Sequence, residues 1–364
     1  MNTFPIWWPE KPPIYDIKKS YLENFKQGPF FKGKIPERIF PPEEKWINFL
    51  GFSIASPLGV PAGPLLNSSW VIFAATMGFD IVTYKTIRSQ PHPAHPLPNM
   101  IYIDTQGVLT YKRCHDSIYQ SPTPPLTMHS LATTNSFGIP SQDRGFLVED
   151  IACANAGLCS GQVMIVSVVG TPRDQRDFFE DFVTAASIAI RGGAKIIEAD
   201  LSCPNVLTCE GSLFMNPQAV LDISQRIKQV IQSVPLVIKV GLIEDKEVIR
   251  SVMCAAAQGG ASAICGINTV SMQIITKDQR PALGQGRLRA GVCGDPIRPL
   301  ALDFIEKAVA VNEEEQLGMT IMGTGGVTLP DHFDEFFNRG ADVAMSAVGM
   351  MWDPYLAMRY LHKC

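Results

Sequence analysis

From about residue 55 onward the sequence repeats one pattern, a short apolar run followed by a stretch with helical periodicity. The runs are Pro57–Val60, Asp80–Lys85, Val163–Val168, Lys195–Asp200, Leu236–Val240, Ser262–Ile267, Met319–Gly323 and Asp342–Ser346. Strands alternating with helices read as βα units on a parallel sheet, and runs that are apolar almost throughout fit strands covered on both faces. Helical spacing is clearest in Asp174–Arg191, Asn216–Gln232, Asp245–Gln258 and Pro299–Val311. Eight such units close naturally into an α/β fold of the (β/α)8, or TIM, barrel type. An open doubly wound sheet is the rival, but it usually needs fewer strands, and no Gly-x-Gly-x-x-Gly follows the first run.

Two regions stand outside this rhythm. Residues 1–45 read as an N-terminal extension, in which Ile14, Ile17, Tyr21, Leu22 and Phe25 have the spacing of one amphipathic helical face. We expect that face to pack on the barrel or on a second subunit. Residues 46–364 then form the barrel, with an insertion at about 88–131 whose seven prolines mark a lid or hairpin region on the catalytic face.

The chain is 46% hydrophobic and 18% charged, which requires a compact core. A formal charge of -4 without a run of like charges offers no footprint for nucleic acid or an anionic membrane. The N-terminus lacks a basic segment followed by an apolar one, and no stretch of about 18 apolar residues occurs. The expectation is a soluble, cytoplasmic protein with a small-molecule partner. Nine scattered cysteines without a Cys-x-x-Cys fit free thiols rather than a disulfide framework or a metal cluster, so no metal is expected. His92 and His95 sit among prolines, as in an extended surface loop.

In such barrels chemistry is placed at the C-terminal ends of the strands. Those ends carry Lys85-Thr86, Asp200-Leu-Ser-Cys203-Pro-Asn205, Lys239, Asn268-Thr269, Gly323-Thr-Gly-Gly326 and Ser346-Ala347, and Asn135 would hang from the lid segment. Gly325 and Gly326 put bare N–H groups at a helix entrance, which favours a phosphate, and strands seven and eight often build such a site. Lys85 and Lys239 are costly to bury unless each meets an anion. Cys203 becomes a base or nucleophile only where nearby cations lower its pKa.

Read together, these segments resemble the flavin-dependent dihydroorotate dehydrogenases over roughly residues 46–357. The resemblance rests on the order and spacing of Asn48–Pro57 before Pro61-Ala-Gly63, Tyr84-Lys-Thr86, Asn135-Ser-Phe-Gly138, Leu201-Ser-Cys-Pro-Asn205, Lys239, Asn268-Thr269 and Gly323–Gly326. It implies an FMN at the barrel mouth, with a hydride passing from C6 of dihydroorotate to flavin N5 and Cys203 removing a proton from C5. Cysteine as base is similar to the soluble members of the family.

By the same resemblance Lys85 and Lys239 join Cys203 in catalysis. Ala62, Gly63, Lys85, Thr86, Asp200, Lys239, Thr269, Gly294, Gly325, Gly326, Ser346 and Ala347 would contact FMN, and Asn135, Phe137, Gly138, Asn205 and Asn268 would hold the pyrimidine. A homodimer is implied, and an electron-transfer subunit is one route to the acceptor. Asp200 stands where the family has an asparagine, Ala347 where it usually has a threonine, and the segment from Gln106 to Ser130 is enlarged. Asp200 keeps an alternative open: a related flavin-dependent dihydropyrimidine dehydrogenase or ene-reductase acting on another ring.

Overall fold

The structure, a computed structural model, describes residues 13–172, 177–202 and 213–362. Eight parallel strands close into a barrel in sequence order: β1 (Leu58–Val60), β2 (Ile81–Ile87), β3 (Val163–Val168), β4 (Ile196–Asp200), β5 (Leu236–Lys239), β6 (Ala263–Gly266), β7 (Thr320–Thr324) and β8 (Val343–Met345). Each expected apolar run supplies one strand. Around them lie α1 (Ser68–Thr76), α2 (Arg144–Ala156), α3 (Phe178–Arg191), α4 (Pro217–Ile231), α5 (Lys246–Gln258), α6 (Arg298–Glu314) and α7 (Asp331–Phe337).

Local chemistry sets the helix starts. Asn67, Asp143, Asp177, Asn216 and Asp245 each cap the helix that follows by accepting a backbone N–H of its first turn. Such caps contribute about 1 kcal/mol each. The cap at Asp177 starts α3 at Phe178 rather than at Asp174, which lies outside the described residues.

Period-two alternation fills the barrel in layers. The lowest layers are apolar, with Ile81, Val163, Ile165, Ile196, Val237, Ala263, Met322, Val343 and Met345 in one buried cluster. Phe49 and Ile54 belong to the same cluster; they come from a hairpin, Ile47–Phe49 paired with Phe52–Ile54, that stops the N-terminal end of the barrel. Two residues further along β4 and β5, the inward row becomes polar, with Glu198, Asp200 and Lys239 all buried.

The insertion is more than a lid. Its strands Met100–Asp104 and Ser117–Gln120 join Ala132–Asn135, Val270–Ile275 and Arg289–Gly294 in a second closed sheet of five strands. The last two strands are absent from the sequence expectation. Glycines within Arg289–Gly294 and the polar stretch before it hide the alternation there. Gly291 is required for packing: a Cβ there would lie 2.2 Å from Thr269 Oγ1.

The N-terminal arm packs on the barrel core through Ile14, Tyr15, Tyr21 and Phe25. The proposed single helical face is corrected: the helix is only Tyr21–Gln27, and Leu22 is 48% exposed. Asn24 is the physical reason. Its side chain accepts from Asp16 N at 2.8 Å and donates to the carbonyls of Asp16 and Ser20, turning the chain before the helix begins. Ser20 and Glu23 complete a capping box at that start. Further along, Arg38 forms a bidentate ion pair with buried Asp80, fastening the arm to the start of β2.

Candidate active site

A deep cavity opens where the C-terminal ends of the strands meet the second sheet. Its wall includes Ala62 and Gly63 after β1, Lys85 and Thr86 on β2, Asp200 on β4, Lys239 on β5, Asn268 and Thr269 after β6, Gly325 and Gly326 after β7, and Ala347 after β8. The second sheet adds Asn135 and Gly294, and the loop after Asn135 adds Phe137 and Gly138. Residues far apart in sequence thus line one space. Ser346 is not on that wall: its hydroxyl donates to Val327 O at 2.7 Å and accepts from Met350 N at 3.2 Å. Cys203 and Asn205 lie outside the described residues.

Asp200 has an internal partner. Its Oδ1 accepts the Ser202 hydroxyl at 2.5 Å and the Ser202 N–H at 3.1 Å, while Asn268 Nδ2 donates to Ser202 Oγ at 2.7 Å. The hydroxyl is therefore fixed as a donor to the carboxylate and an acceptor from the amide. Through it, Asp200 sets the direction of the Asn268 side chain on the cavity wall.

Lys239 is 1% exposed at the cavity floor. Its Nζ reaches Ala62 O at 3.4 Å and stands 3.9 Å from Glu198 Oε1. Burial pulls the ammonium pKa down, but Glu198, Asp200 and Cys265 outweigh it and the net direction is up, so the lysine is charged. Glu198 moves the same way for the opposite reason: burial raises its pKa more than Lys239 lowers it. Lys85, 7% exposed, brings a second ammonium group to the wall.

At the other end, Gly325 and Gly326 turn the chain after β7. Gly326 has φ +86°, and a Cβ there would lie 2.4 Å from Arg298 Cβ and 2.6 Å from Arg298 N. Only glycine fits. His332 supports the turn from behind, its Nδ1 accepting from Thr328 N at 3.2 Å. Burial and neighbouring Arg298 push this imidazole down to about 3, so it is neutral. Asp295, His129 and His332 bring their ligand atoms within 4.8 Å of one another. Arg298 occupies that corner, paired with Asp295 and bonded to His332 Nδ1 at 3.0 Å, which fits a support rather than a cation site.

Several wall residues have no counterpart in the sequence reading. Tyr15 comes from the arm, and its ring meets Phe137 edge-on at 6.0 Å. Arg289, from the unexpected strand, donates to Ser271 O at 2.5 Å. Cys293 also lines the wall; its thiol donates to Thr133 O at 3.2 Å and accepts weakly from Asn135 Nδ2 at 3.8 Å. Burial pushes that thiol up to about 11, so it is protonated and inert at neutral pH. No local signal points to Arg289 and Cys293, because the glycines of Arg289–Gly294 break the alternation that would mark a strand.

The comparisons with known proteins agree with this geometry. The profile of the family described as dihydroorotate dehydrogenase matches residues 120–359. A dihydroorotate dehydrogenase of Dictyostelium discoideum is 46% identical over 361 residues, covering 97% of this chain and 98% of that protein. The catalytic subunit of dihydroorotate dehydrogenase B (NAD(+)) from Enterococcus faecalis is 30% identical over 184 residues, covering 50% and 56% of the two chains. Among solved structures, DHODH in complex with ferulenol from Eimeria tenella superposes with a TM-score of 0.69 at 16% identity, covering 90% of this chain and 87% of that one, a likeness of fold. By its family profile and its full-length relative, this chain belongs to the dihydroorotate dehydrogenase family.

Proposed function

We propose that this dihydroorotate dehydrogenase works with FMN as its flavin and Cys203 as its base, within pyrimidine biosynthesis. The family makes it an oxidoreductase acting on a CH–CH group. The observation that carries the finer reading is the make-up of one cavity: a buried charged lysine at the floor, a glycine turn at one end and two asparagine amides on the wall. These residues fit FMN. The turn at Gly325-Gly326 offers bare backbone to a phosphate, and at Gly63 a Cβ would meet nothing within 4 Å, leaving room for a ring system. When bound, FMN supplies the hydride acceptor.

The protein's own groups do the rest. Asn135 and Asn268 hold the pyrimidine, with Phe137, Gly138 and Asn205 around it, and Ser202 keeps the Asn268 amide aimed. Cys203 takes a proton from C5 as a hydride leaves C6, so the C5–C6 bond becomes double and orotate results. Lys239 and Lys85 favour negative charge arriving in the cavity, as preorganised cations do in a water-poor site. Ala62, Thr86, Asp200, Thr269, Gly294 and Ala347 line the flavin's place; Ser346 serves it indirectly, by fixing the Val327 carbonyl beside the turn.

We place the working unit at residues 46–364, with residues 1–45 as an arm. We further place it in the cytoplasm as a homodimer, with an electron-transfer subunit as one route to the acceptor. Among the described residues no helix is long and apolar enough to cross a membrane.

The visible spectrum of the purified protein tests the cofactor. Yellow flavin absorption that identifies as FMN on release is expected, and a colourless protein that stays so after incubation with FMN would refute the reading. Anaerobic bleaching by dihydroorotate but not dihydrouracil is expected, and the reverse preference would favour a dihydropyrimidine dehydrogenase. Cys203→Ser should slow bleaching by about 100-fold or more while retaining the flavin, the scale of general-base catalysis.

A further inference from the structure

Glu198 is a buried ionisable group that the reaction above leaves unused. It is 0% exposed in the middle of β4, and among the described residues neither carboxylate oxygen makes a hydrogen bond of good geometry, Ser167 and Cys265 offering weak contacts at most. An ionised carboxylate left this way is costly to hold, by several kcal/mol, unless a cation stands close. Lys239 stands 3.9 Å away on β5. The other groups facing Glu198 are Asp200 on its own strand, Cys265 on β6 and Ser167, its register partner on β3. Asp200 acts on the same lysine, so Glu198 and Asp200 share the ammonium group of Lys239.

We propose that Glu198 is a proton-holding counter-group for the cavity, taking up a proton when an anion settles above Lys239 and releasing it when the anion leaves. The argument is electrostatic. An anion in the cavity shares the field of Lys239 and repels a second negative charge beneath it, so the neutral acid becomes the preferred form. Glu198 touches no ligand, and its role is to balance charge. Its raised pKa is consistent with this behaviour.

The inference rests on the reading of the cavity as a pyrimidine carboxylate site, and orotate is the probe. Calorimetric titration of the holoenzyme with orotate, in buffers of different ionisation enthalpy, reads proton uptake directly. Uptake approaching one proton is expected between the ligand-free and ligand-bound pKa values of Glu198. There the orotate Kd should rise with pH by up to about tenfold per unit, flattening on either side. Glu198→Gln should abolish both the uptake and the slope.

Uptake that survives in Glu198→Gln would assign the proton to another group, such as Cys203 or Asp200, and overturn the inference. Binding without proton uptake in the natural protein would overturn it alone, whereas no orotate binding at all would overturn the reading of the cavity with it. If Glu198→Gln does not fold, the infrared difference spectrum of the natural protein decides. A gain of protonated-carboxyl absorption on adding orotate supports the inference, and its absence refutes it.

Discussion

Replacing Lys239 by methionine removes the ammonium group beside Glu198 while keeping most of the side-chain volume. For unit charges 3.9 Å apart the attraction is about 4 kcal/mol at an effective dielectric constant of about 20. That figure bounds the gross loss, because Glu198 can escape by taking a proton. The sign follows from linkage. Without Lys239 the folded-state pKa of Glu198 rises further above the unfolded value of about 4.3, so the folded protein binds more protons than the unfolded one and stability falls as pH rises. Relative to the natural protein the deficit is small below the folded-state pKa that Glu198 already has beside Lys239, itself raised by burial, and above it grows by up to about 1.4 kcal/mol per pH unit until Glu198 ionises in the variant. Denaturant unfolding of the flavin-free protein at about pH 5 and about pH 8 measures the difference between the two conditions. The pair Glu198→Gln with Lys239→Met should remove the pH dependence. An equal loss at both pH values, or a double variant as pH-sensitive as the single one, would refute the electrostatic account of the cavity floor. The flavin-loaded variant should also lose about 100-fold to 1000-fold in turnover, the scale on which one preorganised electrostatic group acts.

Other outcomes follow from the same geometry. Gly326→Ala forces a Cβ into Arg298 at 2.4 Å, and should weaken FMN binding by at least tenfold in a fluorescence-quenching titration while the barrel stays folded by circular dichroism. Asp200→Asn keeps the shape but gives Ser202 a weaker acceptor, so orotate affinity should fall by about 1 kcal/mol as Asn268 loses its fixed direction; an unchanged Kd would sever that chain. Arg38→Ala leaves Asp80 buried with Ser56 and Gln162 as its side-chain polar partners among the described residues. Unfolding should show a loss of about 3–5 kcal/mol, the cost of breaking a buried pair.

The barrel was legible because its strands are covered on both faces, so that apolar runs such as Val163–Val168 announce themselves. The strand ends were legible for the opposite reason, since Lys85 and Lys239 are charges where burial makes charge expensive. The second sheet was not. Its strand Val270–Ile275 alternates buried and half-buried positions over only six residues, and its partner Arg289–Gly294 carries two glycines, so neither forms a long apolar run. Tyr15 was hidden by distance: nothing local says that a residue 46 positions before Pro61 shares a wall with it. The amphipathic spacing of the arm was real at Tyr21 and Phe25 but was extended across a turn that Asn24 fixes by long-range side-chain bonds. Asp200 looked like a departure in chemistry, whereas its contacts with Ser202 make it part of the support for Asn268.

The hairpin that carries Phe49 and Ile54 makes the barrel a vessel with a stoppered base. The wall of Lys239 and Asn268 lies towards the other end, where Phe137 and Tyr15 line the same cavity. A donor and an acceptor of electrons that both needed this one wall could not occupy it together, and for such a pair the first product would leave before the second reactant arrived.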